Sequence, residues 1–189
     1  MDSLHKRTLV EMDNLRGHNS ERHNDLSDYV KSVLRASFLI RTTTQKKFTK
    51  KPYVFESTFV WDGARTIYLS GYPGKRDWVA NIKANPVVYL HSVEGPIGFD
   101  FKAQARVIKG FDEKLPYLIM FLERWTNWST IPRPLFKLVL GIIKANVRLR
   151  LPWCGPLFLA KRILSNMPCV EIKMVGEPAL RNTGPPSLG

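Results

Sequence analysis

Two runs of alternating side chains joined by Asp62-Gly63 limit the fold more than any other feature of the sequence. Val54–Trp61 puts Phe55, Phe59 and Trp61 on one side and Glu56 and Thr58 on the other. Thr66–Gly71 (TIYLSG) follows the turn as a second run. Successive strand side chains point to opposite faces, and Asp-Gly readily takes the positive φ of a tight hairpin, so this segment predicts an antiparallel pair. The same period of two recurs in Ser37–Thr44 (SFLIRTTT), Val87–Ser92, Phe99–Lys109 and Val170–Val175 (VEIKMV). It is cleanest in the fifth run, where Phe101, Ala103, Ala105 and Val107 oppose Lys102, Gln104 and Arg106. Short strands joined by hairpins, with a helix after the third, suggest a small closed or split antiparallel barrel and exclude a parallel sheet.

Helical spacing fills the gaps between these runs. Ser27 or Asp28 caps a helix through Tyr29, Val30, Val33 and Leu34. Lys75–Ala84 carries Trp78, Asn81, Ile82 and Asn85 on one stripe and stops at Asn85-Pro86, because the residue before proline avoids helical geometry. Asp112 caps a helix through Leu122 and Trp125, and further helix over 132–166 breaks near Pro152 and Gly155. Residues 1–35 form an N-terminal arm and helix, 36–176 the barrel domain with a helical insertion over 112–166, and 177–189 a flexible Pro/Gly-rich tail. At 189 residues there is room for one sizeable domain.

Charge divides the chain differently. The net charge is +13, but residues 1–35 and the last nineteen are neutral. Residues 124–170 hold eight bases and no acid, and a second cluster comprises Lys46, Lys47, Lys50 and Lys51. A uniformly charged surface has no such segregation, so local anion recognition is expected. Two cysteines, Cys154 and Cys169, exclude a disulfide scaffold, and His18, His23 and His91 have no partners at metal-ligand spacing. No G-x-S-x-G or H-E-x-x-H element argues for a hydrolase. The start, MDSLHKRTLV, has no secretory apolar core, and no run approaches the ~18 apolar residues of a membrane span, so a cytoplasmic protein is expected.

The segment most informative about chemistry is Tyr68–His91, YLSGYPGKRDWVANIKANPVVYLH. A strand ends in a glycine turn, Lys75 and Arg76 follow, and a helix starts directly after them. Exposed N–H groups at a helix start beside two cations suit a phosphate, and glycine lets a flat ring approach the backbone.

These residues resemble the FMN-binding split barrels of the pyridoxamine 5′-phosphate oxidase-like superfamily, nearest their deazaflavin-dependent nitroreductase (quinone reductase) branch. The branch's W-x-x-N-(L/I)-x-A-N-P element is matched by Trp78, Asn81, Ile82, Ala84, Asn85 and Pro86, and Lys75 with Arg76 takes the place of its phosphate-gripping basic pair. The resemblance implies a mainly β (β+α) fold, a six-stranded antiparallel split β-barrel with a short helix after strand three and a helical insertion before the last strand. It implies FMN or a deazaflavin (coenzyme factor 420) as cofactor, lined by Ser57, Thr58, Leu69, Ser70 and Gly71, with Trp78 and Asn81 in the adjoining helix. Lys50, Lys75 and Arg76 would hold its phosphate or acidic tail. The branch's glycine turn between the first two strands is replaced by TQKKFTKKPY, which leaves the choice between the two cofactors open.

The activity so implied is hydride transfer between the cofactor and an electron-poor small molecule of quinone-like, nitro or enone type, in a homodimer. No catalytic residue is singled out; Tyr68, Tyr72 and Tyr89 are the candidate proton donors. Two alternatives stand beside it: a flavin- or deazaflavin-binding protein without turnover, and a basic membrane-surface protein. The second rests on 133–164, which mixes Leu, Ile, Phe and Trp with six cations between Lys137 and Arg162, the composition of an interfacial helix; a lid or dimer seam would use the same residues. Nucleic-acid binding has only the net charge in its favour, with no recognisable motif.

Overall fold

A computed structural model describes residues 26–71, 76–128 and 133–189. Six antiparallel strands close into a barrel: β1 (Leu39–Gln45), β2 (Pro52–Trp61), β3 (Thr66–Ser70), β4 (Val87–Ser92), β5 (Gly98–Ile108) and β6 (Cys169–Arg181). Round the barrel the order is β1-β2-β3-β6-β5-β4, with β1 pairing β4 to close it. The arm upstream of Leu26 and the residues 72–75 and 129–132, which include Tyr72 and Lys75, lie outside the described residues.

The alternation read from the sequence decides which side chains enter the barrel. Ile40, Phe55, Phe59, Ile67, Leu69, Leu90, Phe99, Phe101, Ala103 and Ile172 pack together inside it. Asp62 fixes the hairpin by accepting from the N–H groups of Ala64 and Thr66, and Gly63 takes φ +90° there. α1 (Asp28–Ala36) begins at Ser27, whose hydroxyl accepts from Val30 N, and Val30, Val33 and Leu34 close one end of the core. α2 (Asp77–Ala84) buries Trp78, Asn81 and Ile82, and Trp78 stacks on Phe55 at 5.0 Å.

β6 runs six residues further than the alternation in VEIKMV marks. Its first part, Cys169–Lys173, pairs with β3 on one side, whereas the stretch to Arg181 pairs only with β5. A strand with one free side tolerates Pro178, which has no N–H to donate, and the register shift opposite Asp100–Lys102 takes up Gly176 at φ +71°.

Between β5 and β6 the chain leaves the barrel as α3 (Phe111–Trp128), α4 (Arg133–Arg148) and α5 (Pro156–Asn166). Leu115, Leu118 and Phe121 of α3, Ile143 of α4 and Leu164 of α5 form a second core against the outward residues Val60 and Tyr68. α3 is fastened at both ends. Lys114, itself buried, donates to the Ser165 and Met167 carbonyls at the end of α5, at 2.7 and 2.8 Å. Arg124 donates to Ser37 O and lies 4.9 Å from the Phe59 ring centroid. Burial lowers the pKa of both cations. Among the described residues, no helix is long and apolar enough to cross a membrane.

Candidate functional site

A cavity of about 660 Å³ lies where the β2–β3 wall meets the helices. Its barrel side is Glu56, Ser57, Thr58, Ser70, Gly71, Arg76 and Trp78, and its helical side is apolar. α3 contributes Phe121, Leu122 and Trp125; α4 contributes Phe136, Val139 and Ile143; α5 contributes Ala160, Ile163 and Leu164, followed by Met167. A mostly apolar concavity of several hundred Å³ with a few converging polar groups is the usual form of a small-molecule site.

The polar side is not uniform. Ser57 Oγ is buried and has no hydrogen-bond partner, which costs free energy unless something reaches it. Ser70 donates to Pro168 O at 2.7 Å and keeps lone pairs for acceptance. Glu56 is held by Arg41 at 2.8 Å, and Arg41 also donates to Pro186 O, so the C-terminal segment supports this wall from behind. A Cβ built on Gly71 would meet nothing within 4 Å, so the missing side chain leaves space beside the backbone. Arg76 stands at the start of α2 next to Asp77; with an acid in the helix's first turn, the attraction for an anion at this place comes from the guanidinium. The polar groups, the open backbone and the cation all fit an aromatic ring with hydrogen-bonding edges and an anionic tail.

Of the residues expected from the sequence to bind cofactor, Ser57, Thr58, Ser70, Gly71, Arg76 and Trp78 are brought together in the lining. Leu69 is not: the strand period that points Ser70 outward points Leu69 into the barrel core, with no exposed surface. Asn81 Oδ1 accepts from Lys47 N at 2.9 Å, while Asn85 bonds Gln45 O and the Lys50 amine. The W-x-x-N-I-x-A-N-P element thus clamps the basic β1–β2 turn, and Lys50 is committed there at φ +58° and absent from the lining. The sequence offers 133–164 as a lid but singles out none of the side chains that line the helical wall. Its spacing, Phe136–Val139–Ile143 and Ala160–Ile163–Leu164–Met167, was the available signal.

Of the candidate proton donors, Tyr68 and Tyr89 lie elsewhere, and Tyr72 is outside the described residues. Tyr68 stacks on Tyr117 at 3.7 Å in the second core, where burial and the Tyr117 hydroxyl raise its pKa. Tyr89 is exposed on β4, and neither tyrosine lines the cavity. His91 is satisfied on both ring nitrogens, 2.8 Å from Thr43 Oγ1 and 2.8 Å from Asp100 Oδ1. That chain has the form of a nucleophile, base and orienting acid, but none of its members lines the cavity, and Arg181 engages the same aspartate. It braces β1, β4, β5 and β6 across the outer barrel face. No group of three or more His, Cys, Asp or Glu side chains among the described residues could hold a metal ion.

No family model matches the sequence, and no curated protein matches it. Solved structures do match in shape. A conserved hypothetical protein of Mycobacterium tuberculosis superposes with TM-score 0.55 at 14% identity, covering 88% of this chain and 93% of that one. A protein of Bacteroides thetaiotaomicron assigned to 5-nitroimidazole antibiotic resistance gives TM-score 0.52 at 11% identity over 77% of each chain. A Listeria innocua protein assigned as a pyridoxamine 5′-phosphate oxidase gives 0.51 at 12% identity, covering 82% and 98%. What these likenesses establish is the fold, a six-stranded antiparallel split barrel.

Proposed function

We propose that the chain is a flavin- or deazaflavin-dependent oxidoreductase acting on an electron-poor, largely apolar small molecule. One observation carries the reading: the cavity gathers Ser57, Thr58, Ser70, Gly71, Arg76 and Trp78 opposite a wall that is almost wholly apolar. Arg76 would bind the anionic tail, with Lys75 its neighbour in sequence. The buried, unpartnered Ser57 Oγ and the hydroxyl of Ser70 would meet the polar edge of the ring system. Gly71 would let that ring lie against the backbone, and the α3–α5 side chains would exclude water. The chemistry such a cofactor supplies when bound is hydride transfer to a quinone-like, nitro or enone acceptor. The assignments of two of the solved relatives, to an oxidase and to nitroimidazole resistance, are consistent with redox chemistry on this fold.

Titration with FMN and with a deazaflavin, followed by absorbance and fluorescence, tests the reading. Saturable binding of at least one is expected. Replacing Lys75 and Arg76 together by alanine should weaken it at least about tenfold, the scale of a charge-assisted contact. Wild-type affinity in the double variant would sink the assignment of the cations.

A second reading, binding without turnover, draws on the lining itself: among its described residues the ionisable side chains are Glu56, paired with Arg41, and Arg76. Oxidation of the bound, reduced cofactor by a quinone or nitro compound separates the two.

A further inference from the structure

The helices that wall the cavity have a second apolar face that, among the described residues, nothing covers. On α4, Phe136, Leu140, Ile143 and Val147 turn inward. Leu135, Leu138 and Ile142 form an outer stripe at i, i+3 and i+7, 67%, 61% and 50% exposed, and Val139, 46% exposed, stands on its border with the cavity wall. α5 repeats the arrangement. Leu157, Ala160 and Leu164 face the second core, while Phe158 and Leu159 are 60% and 61% exposed. The turn between the helices adds Leu149 and Leu151, both exposed. A run of large apolar side chains left in water on two successive helices marks an interaction surface.

Its charge identifies the partner. Arg148 and Arg150 alternate with Leu149 and Leu151 in the turn, and Arg162 stands among Phe158, Leu159 and Ile163 by helical spacing; all three arginines are exposed. From residue 124 to 170 there is no acid to balance them. A second copy of the chain docking through the same face in a two-fold contact would bring these arginines onto themselves. A surface that offers negative charge at its boundary and hydrocarbon just beneath satisfies both halves of the pattern at once.

We propose that the exposed face of α4 and α5, with the turn between them, docks on an anionic membrane surface, the leucines and Phe158 entering the acyl boundary and Arg148, Arg150 and Arg162 meeting the headgroups. Val139, Ile163 and Trp125 are exposed and also line the cavity, so its mouth opens on this face. The helices lie on the membrane; none crosses it.

Flotation of the full, cofactor-free chain with vesicles of phosphatidylcholine, with and without phosphatidylglycerol, tests this. Binding to the anionic vesicles should exceed binding to neutral ones by roughly two orders of magnitude and fall as salt is raised. Leu138→Glu with Phe158→Glu, and separately Arg148→Gln with Arg150→Gln and Arg162→Gln, should each remove most of it while the thermal midpoint stays within a few degrees. Equal binding to both vesicle types, no flotation at low salt, or unchanged flotation of both variants would overturn the proposal. So would a wild-type dimer that Leu138→Glu with Phe158→Glu splits while leaving vesicle binding intact, since the face would then belong to a second copy. FMN and deazaflavin titrations in the absence of lipid keep this test separate from the cofactor reading: either can fail alone.

Discussion

Inside the barrel, Phe59, Ile67, Leu69, Phe99 and Phe101 meet with essentially no surface left over. In the layer between the barrel and the helices, equally apolar residues stand around about 660 Å³ of space, and on the far side of α4 and α5 they face water. The two regions are made of the same kinds of side chain, so composition does not separate them. What does is geometry. A closed barrel has one interior whose volume the inward residues must fill, whereas three helices laid on a curved wall touch it along lines and leave room between them. The filled region carries stability, and the unfilled one is where the proposed ligand and the proposed membrane contact would act.

The largest effect expected from this contrast is in the barrel. Phe101→Ala, at a position with 0% exposure, should cost about 3–5 kcal/mol in denaturant unfolding. Ile163→Ala, on the cavity rim at 41% exposure, should cost less than about 1 kcal/mol. Similar losses at both sites would break the distinction.

Lys114→Met probes the fastening of the helical layer. It leaves the carbonyls of Ser165 and Met167 without their donor, and about 1–3 kcal/mol of destabilisation is expected. An unchanged unfolding midpoint would mean that the lysine does not hold α3 to α5.

Alkaline pH sharpens the same boundary. Burial pushes the Cys169 thiol up to about 12 from an ordinary 9.0. The folded pKa is raised, so its contribution is complete below about pH 9 and is lost as pH climbs towards about 12, where the unfolded chain has already released the proton. The loss is at most about 1.4 kcal/mol per pH unit. Stability measured against pH for wild type and Cys169→Ala should diverge in slope over this window, and parallel curves would contradict the burial of the thiol.

The smallest effect is the most telling for the outer face. Leu138→Glu, at 61% exposure, should move stability by no more than about 0.5 kcal/mol. A large loss would show the stripe to be packed against something within the chain.

The strands were legible in the sequence because each buries one face and so must alternate, and because Asp62-Gly63 supplies its own turn chemistry. The length of β6 was hidden by Gly176 and Pro178, which read as breakers until the absence of a neighbour on one side of that stretch is known. Trp78 and Asn81 were found as a motif, but only the structure separates their work: Trp78 reaches the cavity, and Asn81 holds the basic turn. The lining of the helical wall was hidden for another reason. Residues 136, 139 and 143 share a stripe in any helix, and nothing local says whether that stripe meets a core, a cavity or a lipid.

The central claim is that the space between β2–β3 and the helices is a cofactor site, and Gly71→Leu tests it most directly. The new side chain has open space at its Cβ beside the cavity and should take up cavity volume rather than displace the wall. Titrated beside wild type with FMN and with a deazaflavin, the variant should keep its circular dichroism and thermal midpoint and lose binding by at least about a hundredfold, the scale of a steric block in a fitted site. Wild-type affinity in Gly71→Leu, or no saturable binding of either cofactor to the wild-type chain, would contradict the account.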